Sequence, residues 1–181
     1  MKDNKTYVAL LRGINVGGHH KVPMAELLKA LEELKFENVI TLLNSGNIIF
    51  DSSIEDPIKL ETLIGLKLAS TFGFPIPTII REAKMIHQLF MDSPFEDIYV
   101  HKDIRLYISF MKTDIHSNLQ IPWKSDDQAF KILEKRDKII ISVLDVSKAN
   151  TPKAMGIVEK AFGKDITTRN WKTIERIVGK L

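Results

Sequence analysis

The residues best suited to chemistry gather near the two ends of the chain. Near the start, Arg12, Gly13, Asn15, Gly17, Gly18 and Lys21 follow one another closely. Glycine reaches positive φ without a Cβ clash and lets a partner come close to the backbone. Bare amides in such a loop, leading into a helix N-terminus, favour negative charge, and Arg12 and Lys21 would add to that field. The chemistry implied is a cradle for a small anionic or phosphorylated molecule. The spacing is neither Gly-x-Gly-x-x-Gly nor the P-loop pattern. A tight turn between two packed elements is therefore the competing reading, and both stay open.

Near the other end stands Arg169-Asn170-Trp171. A guanidinium is a planar fork for carboxylate or phosphate, and an indole is a flat stacking surface. Together they suit a nucleotide or nucleobase. The alternative is a packed tryptophan, with Thr168 or Asn170 capping the last helix. Asn44, Ser45 and Asn47 form a third group around Gly46, in a stretch with hairpin-turn chemistry. As a nucleophile Ser45 lacks both a Gly-x-Ser-x-Gly elbow and a histidine near in sequence.

Other constellations are weaker. His19 and His20 point to opposite faces if the chain is extended, and no His-Glu-x-x-His pair accompanies them or His87, His101 and His116; no metal site is expected. Glu32-Glu33, Glu55-Asp56 and Asp126-Asp127 read as helix faces or caps. The sequence names no nucleophile, no general base and no cofactor, so whether the chain is an enzyme stays open.

The elements that must position these residues follow from hydrophobic spacing. Tyr7–Leu11 is a continuous apolar run, suited to a strand covered on both faces. Residues 23–35 carry an amphipathic helical stripe through Met24, Leu27, Leu28, Leu31 and Leu34. Strands are expected over 38–43 and 48–51. A helix from Asp56-Pro57 to Phe72 follows, stopped by Gly73 and with Gly65 inside it for close packing. A strand over 76–81, its start at a sheet edge because of Pro75 and Pro77, completes β-α-β-β-α-β, the order of the split βαβ or ferredoxin-like unit. A helix over 82–91 ends before Pro94, and 95–103 is the boundary candidate. The expected division is 1–94 and 95–181, the second part packed closely on the first. In it, Ile104–Phe110 alternates as a half-buried strand, 128–134 and 138–146 form a hairpin, Thr151 caps a helix to Phe162, residues 165–168 make a short strand, and a helix covers 170–178. The fold class is α+β.

Composition narrows the field. Apolar residues are 44% and charged residues 27% of the 181, as in ordinary globular chains. The absence of cysteine excludes a disulfide scaffold and thiolate catalysis, and suits a reducing cytoplasm. The polar start Met1-Lys2-Asp3 is unlike a signal peptide, no apolar run approaches membrane-spanning length, and a cytoplasmic setting is expected. Of 26 basic and 23 acidic residues, eight and four lie from Asp145 onward. That basic last part suits phosphate or nucleic acid, but spread charges are also a common solvated surface.

Four segments in register, LLRGINVGG, KVPMAEL, NSGNIIF and TTRNWKT, resemble the domain-of-unknown-function 1697 family of bacterial proteins. The resemblance runs from Tyr7 to Ile177. It implies two α+β subdomains and a cytoplasmic setting, and supplies no catalytic residues. It singles out Arg12, Gly13, Asn15, Gly17 and Gly18, then Asn44–Asn47, then Thr168, Arg169, Asn170, Trp171 and Thr173. Three functions remain: a protein that binds a small anionic molecule through the first loop, a nucleic-acid binder, or a scaffold without ligand. Against the second, Val8–Leu11 and Ile48–Phe50 lack the aromatic pattern of RRM strands. The sequence leaves the oligomeric state open.

Overall fold

The computed structural model describes residues 4–181; Met1-Lys2-Asp3 lies outside them. The chain divides into two compact units, one running to Met91 and including Arg176–Leu181, the other Asp92–Glu175. The sequence reading leaves those last residues with the second part.

The first unit contains β1 (Lys5–Leu11), α1 (Met24–Glu32), β2 (Glu37–Leu42), β3 (Asn47–Ser52), α2 (Pro57–Phe72), β4 (Thr78–Glu82) and α3 (Ala83–Met91). Its strands lie in the order β2-β3-β1-β4, each neighbouring pair antiparallel. This order is compatible with the ferredoxin-like unit, and β4 is an edge strand, as Pro75 and Pro77 imply. Tyr7, Ala9 and Leu11 alternate onto one face and join a core with Leu27, Leu31, Leu60, Ile64 and Leu68 of the two helices. Each such leucine contributes about 1.5–3 kcal/mol by leaving water. Val8 and Leu10, pointing the other way, are equally buried, so β1 is covered on both faces. Asp56 caps α2 by accepting a hydrogen bond from Ile58 N at 2.9 Å, and Gly73 ends it at φ 79°.

Two local expectations change. A Cβ on Gly65 would meet nothing within 4 Å, so that glycine serves no close packing. In the β2–β3 turn the positive φ angles fall on Leu43 (59°) and Gly46 (73°), not on the asparagines. Asn47 instead opens β3 with its side chain fully buried.

The second unit holds β5 (Ile104–Met111), β6 (Trp123–Lys124), β7 (Phe130–Arg136), β8 (Ile139–Asp145), α4 (Thr151–Phe162) and β9 (Ile166–Asn170); α5 (Trp171–Val178) follows. The sheet order is β6-β7-β8-β5-β9, antiparallel throughout. Ala154, Val158 and Phe162 of α4 pack on Tyr107, Met111, Ile132, Ile140 and Leu144. The alternation in β5 suggests one wet face, yet Tyr107, Ser109 and Phe110 are all buried. The strand lies between β8 and β9, and its polar groups are satisfied: Ser109 Oγ and Thr168 Oγ1 are 2.7 Å apart, and Tyr107 Oη and Thr151 Oγ1 are 2.9 Å apart. Thr151 therefore does not cap α4. Asn150 does, accepting from Lys153 N at 2.9 Å.

Candidate functional site

The first loop is a small hairpin. Val16 and His19 bridge, with His19 N donating to Val16 O at 3.1 Å. Gly17 and Gly18 are its two central residues, at φ 60° and 78°, the geometry of a type I′ turn. A Cβ on either would meet nothing within 4 Å. Their glycine identity therefore answers to backbone twist and not to the close approach of a neighbour.

Asn15, itself at φ 55°, does the joining. Its Oδ1 accepts from Val22 N at 2.8 Å. Its Nδ2 donates to Val22 O at 3.0 Å and to Asn44 O at 2.9 Å. Asn15 N also donates to His20 O at 3.0 Å. The first loop and the β2–β3 turn are thereby braced together. Leu11 N donates to Gly46 O at 2.8 Å and Arg12 N to Pro77 O at 2.9 Å. Within the turn, Asn47 Nδ2 donates to Leu42 O at 2.9 Å and to Ser45 Oγ at 3.0 Å. His20 stacks on Phe74, ring centroids 4.5 Å apart, while Lys21 is exposed. Of the sequence candidates, Arg12, Asn15, Gly17, Gly18, Lys21, Asn44, Ser45 and Asn47 thus share one end of the first sheet.

The remaining three candidates follow β5. Arg169 lies on β9 opposite Ile108 and is buried; its Nη1 donates to Thr167 Oγ1 at 2.8 Å and to Thr168 O at 3.0 Å. Burial lowers its guanidinium pKa to about 10. Asn170 Oδ1 accepts from Lys172 N at 3.0 Å in the first turn of α5. The Trp171 ring meets Phe95 edge-on at 5.2 Å.

A groove that the sequence reading passed over opens in the second unit. It is open to solvent and offers about 820 Å³, within the usual range of small-molecule sites. One wall is a face of α4, through Lys153, Ile157, Lys160 and Ala161. The facing wall is the stretch from His116 to Asp127, with Leu119 and Trp123 as its apolar part. Trp123 is held edge-on against Phe130 at 6.5 Å. An ion pair spans the walls: Lys153 Nζ donates to Asp127 Oδ2 at 2.7 Å. Asp127 Oδ1 accepts from Ser125 Oγ at 2.6 Å and from Ala129 N at 3.0 Å. Bonding to Lys153 first, and then to Ser125 and Ala129, holds the Asp127 carboxyl well below the usual carboxylate range. The available signal was Leu119 and Trp123, bulky apolar residues in a largely polar stretch that also holds Ile121, facing an i, i+4 pair at 153 and 157.

Two antiparallel sheets and five helices among the described residues define a mixed α/β protein. Residues 4–136 match the family described as "Protein of unknown function (DUF1697)". The chain belongs to that family; the TTRNWKT segment lies beyond the matched residues. Its fold is similar to the solved structure of the conserved bacterial protein SP0830 from Streptococcus pneumoniae, at a TM-score of 0.72 and 24% identity, covering 98% of this chain and 99% of that one. The comparison with curated proteins returned no match. Among the described residues no helix is long and apolar enough to cross a membrane.

Proposed function

We propose that this chain is a small-molecule-binding protein whose ligand occupies the groove between α4 and residues 116–127. The groove's size, about 820 Å³, carries the reading. Its make-up supports it: Leu119, Trp123, Ile157 and Ala161 form an apolar patch beside placed polar groups such as Ser125, Asp127 and Lys160, and small-molecule sites combine the two. The Lys153–Asp127 pair links the two walls at the rim.

A second reading, an anion at the first loop, keeps one supporting observation. No side chain caps α1, whose N-cap is Pro23, and Lys21 is exposed beside it; uncapped first-turn amides attract anions. Against this stands the use of Asn15, Ser45 and Asn47 as internal braces.

Amide chemical-shift mapping of the full chain, with a panel of small aromatic and aliphatic fragments and with inorganic phosphate, tests both. The groove reading expects shifts at Leu119, Ile157, Ala161 and the Trp123 indole. Fragments that shift none of these overturn it. Phosphate shifts confined to Gly17–Met24 support the second reading, and their absence removes it.

A further inference from the structure

Resting on the groove reading, we infer that the ligand class is an amphipathic monoanion: a flat apolar body lying on Trp123 and Ile157, with one carboxylate or other singly charged acid group at Lys160. The charges in the groove are unequally committed. Lys153 is engaged by Asp127 at 2.7 Å, so that pair adds little net field. Lys160 lies two turns further along the same face of α4, roughly 10 Å from Lys153 by helix rise. It stands beside Ile157 and Ala161 in the wall, at the edge of the apolar patch. A long lysine stem covers apolar surface while its ammonium stays at the rim, which puts a cation where the head of an amphipathic molecule would emerge.

The other end carries the opposite sign. Asp126 lies in the same rim as Asp127 and repels a second negative charge on the ligand. The groove therefore suits one anionic head and not two. Trp123 favours a planar body, because indole faces stack on flat apolar partners.

Calorimetric titration of the full chain at low ionic strength, with four probes of one shape, tests the class. These are 2-naphthoate, neutral 2-naphthalenemethanol, 2-naphthylmethylammonium and naphthalene-2,6-dicarboxylate. The expected order places 2-naphthoate about three- to fivefold tighter than the neutral probe, the scale of one exposed ion pair. The ammonium and the dicarboxylate bind more weakly than 2-naphthoate. Lys160→Gln, a change on an exposed helix surface, removes the advantage of 2-naphthoate over the neutral probe, and added salt shrinks it. Equal binding of all four probes, or an advantage that survives Lys160→Gln, overturns the monoanion inference while the groove reading stands. Failure of every probe to bind counts against both.

Discussion

Asn15 grips Val22 at both of its backbone groups, accepting from the N–H at 2.8 Å and donating to the carbonyl at 3.0 Å. The carboxamide thus acts as a one-residue strand partner. Its second amino hydrogen reaches Asn44 O, so one side chain ties the loop after β1 to the turn before β3. Val22 is buried, and an amide stranded there costs about 1–3 kcal/mol. Asn15→Ala is expected to lower the unfolding free energy by about 3 kcal/mol, since alanine also tolerates the φ of 55° poorly. Asn15→Gly, which relieves the backbone alone, should lose about 2 kcal/mol. Urea denaturation reads both, and two losses below about 0.5 kcal/mol, the level of an ordinary surface change, would remove the brace.

Gly46 and Gly17 share a positive φ, at 73° and 60°, but only one is confined. An added Cβ at Gly46 would come within 2.7 Å of both Leu11 Cβ and Ile14 Cδ1. The Leu11 atom is anchored to β1 and cannot swing away. Gly46→Ala is expected to cost more than about 3 kcal/mol, combining strain and overpacking. Gly17→Ala should cost only the backbone term, about 1 kcal/mol. Equal losses in thermal or urea unfolding would mean that the β2–β3 turn does not sit on Leu11 as described.

The Asp127 carboxyl is held below its usual range by Lys153, Ser125 and Ala129 N. A depressed carboxylate contributes stability that is complete above the unfolded value, about 3.9, and is lost as pH falls toward the folded one. The urea midpoint of the wild type should therefore fall more steeply below about pH 4 than that of Asp127→Asn. Glu33, Asp114 and Asp145 are lowered in the same direction and bend both curves alike, so the difference between the curves isolates Asp127. Superimposable acid limbs would show that the Lys153–Asp127 pair does not persist in solution.

Several elements were legible without coordinates. The apolar run at Tyr7–Leu11 is the C-terminal, buried part of β1, and Asp56-Pro57 with Gly73 brackets α2 where those residue types permit a cap and a stop. Such features depend on neighbours in sequence, so a linear pattern records them. The two-residue strand β6 is too short to leave a periodic trace. The burial of Tyr107 and Ser109 was hidden because alternation reports polarity and not whether a hydroxyl finds a partner. Thr168 and Thr151 supply those partners from far along the chain.

The candidate sites divide in the same way. Residue types alone allowed positive φ at Gly17 and Gly18 and left a tight turn and an anion cradle both open; the type I′ geometry is a finding of the structure. Residue types also left open whether Asn15 faces a ligand or the chain itself, because the answer depends on where Asn44 arrives, 29 residues later. The groove was still less visible. Its walls, residues 116–127 and one face of α4, are brought together by the packing of α4 on the second sheet. Hydrophobic period and capping chemistry, being local, set the order and type of the elements. The partners of polar side chains and the placement of a cavity belong to tertiary structure, because both are contacts between segments that the sequence keeps apart.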